Sequence, residues 1–290
     1  MKDRLPDVDT LWDYNDPEES ERRFRELMPL ARRNGDETYV AVLLTQVARA
    51  QGLQRRFGEA HATLDQVAGM SATETGVSNI RYLLERGRVL NSSGHPGESS
   101  PYFLQAWKLA QELGEDYYAV DAAHMLGIVE PPDRQLHWNL KAVESAQHSH
   151  DERAKGWLGS LYNNIGWTYQ DLGEYGTALE YFWKGLEWRR EQGPERESRI
   201  ASWTVGRAPR SLGRTEEALE MQGRNLREAE RAGKPDGYIH EELGECLLAL
   251  GREYEAREHF ARAYQLLSHD QWLVASEPER LKRLKSLGAV

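Results

Sequence analysis

Six side chains suited to holding a peptide occur in two stretches of the sequence, about 40 residues apart. The amide of asparagine both donates and accepts hydrogen bonds, so it can pair with the backbone of an extended peptide. Tryptophan offers a rigid contact area, and arginine can clamp a carboxylate with two hydrogen bonds. These residue types predict the binding of a peptide with acidic and apolar side chains. The six residues are Asn163, Asn164, Trp167, Trp203, Arg207 and Arg210.

Three earlier residues extend this predicted partner-binding set, namely Arg49, Arg88 and His124. Arg49 and Arg88 lie one repeat apart, so we expect them on neighbouring helices. His124 fits a packing or polar contact better than a catalytic role. A plainer interpretation stays open for the whole set, because a tryptophan in a helical repeat more often packs and an exposed arginine is more often simply solvated.

Three other groups with reactive side chains have simpler explanations. The acidic run at residues 241–245 has two interpretations. It is either a solvated helix face or a groove lining that would attract a basic segment. The stretch "HSHDE" at residues 148–152 has metal-capable side chains, but it falls in a loop between repeats, where polar residues are common. Cys246 reads as a small buried residue, because no basic neighbour in the sequence would activate it.

The sequence shows no catalytic constellation. It lacks a phosphate-cradling glycine loop, a strand-to-helix nucleophile elbow and a paired histidine motif on one helix. We therefore predict a protein that is not an enzyme and that uses no cofactor and no metal.

Composition narrows the class of partner. The chain has 290 residues, of which 39% are hydrophobic and 29% charged, as in soluble globular proteins. Its 47 acidic and 37 basic residues give a net charge of -10, which argues against nucleic-acid and anionic-membrane partners. The single cysteine excludes an intrachain disulfide, and neither a signal peptide nor an 18-residue apolar run is visible. These features predict a cytoplasmic protein, and they leave its oligomeric state open.

The strongest pattern is a repeat of small residues. One position inside a helical pattern is filled by a small residue six times, at spacings of 39, 40, 39, 40 and 38. Glycine costs a helix about 1 kcal/mol relative to alanine, so its recurrence needs a packing reason. We infer pairs of antiparallel helices whose backbones touch at this position, called here the small slot. The small slots are Ala48, Gly87, Gly127, Gly166, Gly206 and Gly244.

Other positions keep the same register. Seven residues after the slot comes a turn position, which is glycine in four repeats and Arg55 in the first. Sixteen residues after it comes a bulky knob, such as Phe182, expected to fill the space beside the glycine. Two repeats depart from the pattern. Pro131 and Pro132 should end one helix early and bend the array, and Pro209 should kink or shorten another.

Both ends of the array carry capping signals. Asp16 and Pro17 are the expected N-cap and first residue of an opening helix. Ser276 and Glu279 form a possible capping box for a closing helix. Its leucines should cover the last repeat while its lysines and arginines face water.

The pattern resembles the tetratricopeptide repeat, whose signature is W-x2-L-G-x2-Y, then A-x3-F, then P. "YNNIGWTYQDLGEYGTALEYF" and "HEELGECLLALGREYEAREHF" carry the glycine, alanine and phenylalanine of this signature at its spacing. The period exceeds the usual 34 residues and is closer to kinesin-light-chain-like proteins and bacterial peptide-sensing regulators. In these longer repeats, asparagine in the first helix is associated with holding peptide backbone, and Asn163 and Asn164 resemble it.

The resemblance implies an all-α fold, an α-solenoid in which helix pairs form a right-handed superhelix with a concave groove. It also implies a module that binds a peptide or partner protein in that groove. The alternative is a peptide-responsive sensor or regulatory subunit of a larger signalling complex. The predicted organisation is one solenoid over residues 1–290, with a partial first repeat at 11–34, helix pairs at 36–70, 74–113, 116–148, 152–192, 195–232 and 236–268, and a capping helix at 276–288.

Overall fold

The computed structural model describes residues 4–70 and 76–288, so the expected start of one helix pair at residues 74–75 lies outside the described part. Within those ranges the chain is helical and has no strand, which confirms the all-α class. A 3-10 turn spans Val8–Leu11. The α-helices are α1 (Pro17–Arg33), α2 (Glu37–Leu53), α3 (Phe57–Ala68), α4 (Val77–Ser92), α5 (Pro96–Leu113), α6 (Asp116–Val129), α7 (Pro132–His148), α8 (Glu152–Lys155), α9 (Leu158–Asp171), α10 (Tyr175–Gln192), α11 (Glu195–Ser211), α12 (Thr215–Arg231), α13 (Gly237–Ala249), α14 (Glu253–Leu267), α15 (Gln271–Ser276) and α16 (Pro278–Gly288).

The helices fall into two compact units. Unit 1 is Met1–Leu161 and unit 2 is Tyr162–Val290, so the division falls within α9. Within each unit, successive helices joined by short turns pack side by side, which makes neighbours antiparallel. None of the helices described in either unit is long and apolar enough to cross a membrane.

The small slots hold the helix pairs together, as predicted. A Cβ atom added at Gly166 would lie 2.5 Å from Cδ1 of Phe182, the knob on the second helix of the pair. The same geometry joins Gly87 to Phe103 and Gly244 to Phe260, at 2.6 and 2.8 Å from Cε1 of each ring. Real Cβ atoms essentially never make contacts under 3.0 Å, so a side chain in the slot would force the ring to shift. Glycine is kept because the phenylalanine ring lies directly on the helix backbone.

The two irregular repeats solve the same packing problem with amides. Gly127 faces Asn139 in place of a ring, since an added Cβ would lie 2.6 Å from Oδ1 of Asn139. The turn position of the first repeat also differs from the others. There Arg55 has a φ of 61°, in the left-handed region that glycine occupies in other repeats. Gly206 faces Gln222, whose side-chain amide donates to the carbonyl of Trp203 over 2.8 Å.

Some predicted helix ends are confirmed and others are wrong. Asp16 caps α1 by accepting from the backbone N–H of Glu19 at 2.9 Å, as expected. The shortening expected at Pro209 is wrong, because α11 continues to Ser211. A proline in the last turn removes only one internal hydrogen bond. The capping box is also wrong, since Ser276 ends α15 and a separate helix, α16, begins at Pro278.

Two half-buried histidines contact each other between the helices of the last pair, α13 and α14. Nδ1 of His240 on α13 lies 3.0 Å from Nδ1 of His259 on α14, so only one of these nitrogens can carry the shared proton. Burial, together with the nearby His259 and Arg262, lowers the pKa of His240 to about 4. Burial also lowers the pKa of His259, although Glu258 and Glu255 oppose the shift. The folded pair therefore favours two neutral rings.

Acid should weaken this pair. The pKa of an unfolded histidine is about 6.5. Between pH 6.5 and pH 4 the histidines of the unfolded chain are therefore protonated, whereas those of the folded pair stay neutral. Stability present above pH 6.5 is therefore lost as the pH falls toward 4. We expect His240→Gln to flatten this loss in thermal unfolding midpoints measured at steps across that range. His269→Gln, at an exposed position in the same unit, is the control, and equal pH profiles for both variants would contradict the prediction.

Candidate functional site

A pocket of about 440 Å³ lies on one face of unit 2. Its walls come from the first helices of three successive pairs, α9, α11 and α13, and from the start of α16. The residues that line it are Trp167, Trp203, Arg207, Arg210, Tyr238, Glu241, Glu242, Glu245, Glu277 and Arg280.

The repeat register explains why these side chains meet. Trp167, Arg207 and Glu245 each follow a small slot by one residue. The slot faces the second helix of its own pair, so the next side chain, about 100° further round the helix, points to another face. Successive first helices pack side by side, with α11 against α13, which brings equivalent positions onto one surface.

Aromatic rings form one wall of the pocket. Nε1 of Trp203 donates to the backbone carbonyl of Tyr238 at 3.0 Å, which fixes the indole against α13. Trp167 contacts the Phe182 ring edge-on, with centroids 5.2 Å apart. Trp167 and Trp203 are both half-buried, so each packs against the repeat and also presents a face to the pocket. The packing and binding interpretations of these tryptophans are therefore compatible.

The guanidinium of Arg207 lies over both indoles, 5.1 Å from the Trp167 ring and 6.0 Å from the Trp203 ring. Stacking of this kind holds the planar fork in place. Among the described residues, Arg207 makes one ion-pair contact, 3.5 Å from its Nε to Glu242. A guanidinium has five N–H donors, so this one contact leaves donors of Arg207 for other partners, and the side chain lines the pocket.

The acidic wall is neutralised by the chain's own arginines. Glu242 is buried and accepts from Arg210 at 2.5 and 3.1 Å. Glu241 accepts from Arg280 at 2.8 and 2.7 Å. These carboxylates raise the pKa of Arg210 and of Arg280, so both arginines stay cationic. The prediction of a solvated acidic face is therefore wrong for Glu241 and Glu242.

The sequence does not predict Arg280 as a pocket residue, because the lysines and arginines of the closing helix are expected to face water. Tyr238 was missed as well, and its ring lies 5.5 Å from the Arg280 guanidinium. The signal available in the sequence was the acidic run itself, since buried carboxylates need cationic partners.

The two predicted asparagines lie apart from the pocket lining. Asn163 and Asn164 are half-buried on α9, one turn before Trp167. Four of the six residues first singled out thus share one pocket, and the asparagines are placed on the same helix without lining it.

In unit 1 the predicted arginines are engaged with acids. Arg49 and Arg88 both reach Glu85, at 3.1 and 2.6 Å, and Arg88 also pairs with Asp121. The two arginines lie on neighbouring helices, as expected, and line a smaller pocket of about 170 Å³. His124 is outside the lining of that pocket and has its ring 4.9 Å from that of Trp157, and burial lowers its pKa although Asp121 opposes the shift.

Cys246 has the properties of a packing residue. Its side chain is fully buried, and burial with the nearby Glu242 carboxylate raises the pKa of Cys246 to about 12. The thiol is therefore protonated at neutral pH and is a weak nucleophile. Across residues 4–70 and 76–288, no group of three or more His, Cys, Asp or Glu side chains is placed to hold a metal ion.

Comparison with known proteins agrees with this geometry. Residues 159–192, which include Trp167 and the Gly166–Phe182 contact, match the tetratricopeptide repeat family model. This segment is thus a tetratricopeptide-type repeat, the type that the sequence pattern resembles. Outer dynein arm-docking complex subunit 4 of Danio rerio is 26% identical over 156 residues, covering 53% of this chain and 32% of that protein. The chain thus spans about a third of the length of this curated relative.

Solved structures share the fold at low sequence identity. A signal transduction ATPase with numerous domains from Pyrococcus horikoshii, which has a tetratricopeptide repeat sensor, superposes with a TM-score of 0.70 at 15% identity, over 92% of this chain and 41% of that chain. The apo form of the quorum sensor NprR from B. thuringiensis gives 0.65 at 16% identity, over 96% and 80%. NprR in complex with its cognate peptide NprX gives 0.54 at 16%, over 97% and 81%. At these identities the likeness concerns the fold.

Proposed function

We propose that unit 2 is a protein-interaction module that binds a peptide segment in the pocket lined by Trp167, Trp203 and Arg207. The observation that carries this proposal is the position of Arg207, whose guanidinium lies over two indoles and has donors left over for a ligand. Fixed donors beside aromatic surface are the usual composition of binding hot spots. The module needs neither cofactor nor chemistry for this role.

The charges of the pocket refine the class of ligand. Glu241 and Glu242 are already paired with Arg280 and Arg210, so neither sign is in large excess. An apolar or aromatic side chain placed on the indoles would supply most of the contact area. A carbonyl or carboxylate oxygen of the same segment would accept from Arg207.

The fold comparison supports a peptide as the ligand, because NprR, which has a similar fold, is solved with its cognate peptide. A regulatory sensor is the second candidate. It is favoured by the two similar folds described as a quorum sensor and as a repeat sensor of a signal transduction ATPase. Both candidates require a ligand in the same pocket, so a binding test comes first.

Arg207→Ala should weaken peptide binding at least tenfold, because a charge-assisted hydrogen bond contributes about 1.5–3 kcal/mol. A random dodecapeptide library displayed on phage would be selected against the wild-type chain. The affinities of selected synthetic peptides would then be measured by calorimetry against wild type and variant.

Arg224→Ala is the matched control, because Arg224 lies on α12 of the same unit, with its side chain 57% exposed and outside the pocket. We expect it to bind the selected peptides as wild type does. Selection of no peptide, or of peptides that bind Arg207→Ala and wild type equally, would refute the proposal.

A further inference from the structure

The segment that precedes α1 lies against a face of unit 1. Residues 5–14, called here the arm, contain only one short 3-10 turn, and they are held to the helices by side chains. The carboxylate of Asp9 accepts two hydrogen bonds from Arg81 on α4, at 2.9 and 2.5 Å. Nε1 of Trp12 donates to the side-chain oxygen of Gln46 on α2 at 2.8 Å. The arm thus bridges two successive first helices.

Aromatic contacts complete the docking of the arm. The Trp12 ring meets the edge of Phe24 with centroids 5.0 Å apart and stacks on Tyr14 at 4.8 Å. The guanidinium of Arg49 lies 5.8 Å from the Trp12 ring and 5.5 Å from the Tyr14 ring. Val8 is 4% exposed, so its side chain is part of the same contact.

The receiving side chains occupy the positions that form the pocket in unit 2. Arg49 follows its small slot by one residue, as Arg207 does, and Gln46 precedes the slot by two residues, as Glu242 does. In both units an arginine of this register faces two aromatic rings. In unit 2 these rings belong to the repeat, whereas in unit 1 they belong to the arm.

We propose that this face of unit 1 is a second peptide-binding site, that the arm is its internal ligand, and that acidic-aromatic segments of other chains compete with the arm for it. The arm sequence "LPDVDTLWDY" defines the ligand class as aspartates flanking a tryptophan. The recognising groups are Arg81 for a carboxylate, Gln46 for an indole N–H, and Arg49 for the indole face. This site is separate from the pocket of unit 2 and does not depend on its function.

The physical basis of the competition is the tether. A segment joined to its site by a short linker acts at an effective concentration of about millimolar. A free peptide with the same contacts is therefore excluded until one of the arm's own contacts is weakened. The ion pair between Asp9 and Arg81 is the contact to weaken in a test. The Arg81 side chain is 10% exposed, and a buried guanidinium strongly favours a carboxylate partner.

The test uses a fluorescein-labelled synthetic peptide of residues 4–15 and fluorescence anisotropy with the full chain. We expect weak binding to wild type and binding at least tenfold tighter to Asp9→Asn, since the peptide carries the aspartate that the variant arm lacks. Trp12→Ala, which weakens the arm at a different contact, should show the same gain. Thermal unfolding of each variant would establish that the fold is retained.

Two further variants locate the site. Adding Arg81→Ala to Asp9→Asn should abolish the gain, whereas adding Arg207→Ala should leave it unchanged, because Arg207 belongs to the pocket of unit 2. A scrambled peptide should not bind. Equal affinity for wild type, Asp9→Asn and Trp12→Ala would overturn the proposal, and so would a gain that survives Arg81→Ala.

Discussion

Phe182→Ala should lower the free energy of unfolding of unit 2 by about 3–5 kcal/mol. The Phe182 side chain is 3% exposed and lies on the backbone of α9 at Gly166. Its removal loses the transfer energy of the ring and also leaves a cavity, because a glycine opposite has no side chain that could move in to fill it. Urea unfolding of the full chain, followed by far-ultraviolet circular dichroism, would measure the loss.

Trp183→Ala is the matched control, because it removes an even larger ring from the next position on the same helix. The Trp183 side chain is 38% exposed, so its removal leaves no closed cavity, and we expect a loss below about 1 kcal/mol. Similar losses for both variants would show that the ring in the slot has no special role in holding the pair together.

The contacts at the small slots could be predicted from the sequence because their cause is local and periodic. A glycine such as Gly166 and a ring such as Phe182 are a fixed sixteen residues apart, so the constraint repeats with the chain. The prediction failed where one residue type replaced another in the same role. The residue that faces the small slot Gly127 is Asn139, which comes twelve residues after the slot instead of the expected sixteen.

The pocket could be predicted only in part, for a related reason. Trp167, Trp203 and Arg207 share the register of the slots, so their meeting follows from the period. The partner of Glu241, in contrast, is Arg280, which lies 39 residues away on a helix outside the repeat pattern. No period connects the two, and only the need to neutralise a buried carboxylate pointed to such a partner.

The contacts of the arm were even harder to predict from the sequence than those of the pocket. Residues 5–14 have no helical periodicity, although residues 11–14 fall in the predicted partial first repeat. Their partners come from helices far along the chain, with Asp9 paired to Arg81 at a separation of 72 residues. The composition of the arm became informative only when the structure placed it on the register positions of Gln46 and Arg49.

Arg88→Ala should be as damaging to unit 1 as the loss of the ring is to unit 2. The side chain of Arg88 is 15% exposed and lies between two carboxylates, Glu85 at 3% and Asp121 at 5% exposure. Burial acts to lower the pKa of Arg88, but the two acids raise it, so the cation is held firmly. Its removal takes the ion-pair partner from the buried carboxylate of Asp121, whereas Glu85 keeps Arg49, and breaking a buried pair costs about 3–5 kcal/mol.

Arg134→Ala is the control in the same unit, because Arg134 is 67% exposed and its ion pair with Glu130 spans 3.6 Å. We expect it to change stability by less than about 1 kcal/mol in the same urea titration. Arg88→Lys should lower the free energy of unfolding less than Arg88→Ala does, because lysine keeps the positive charge. It should still cause some loss, because lysine lacks the guanidinium fork that reaches both acids. If Arg88→Ala unfolds at the wild-type urea concentration, Arg88 does not stabilise the fold and its role as a partner-binding residue gains support. If stability falls as expected, lost binding in that variant is explained by the damaged fold.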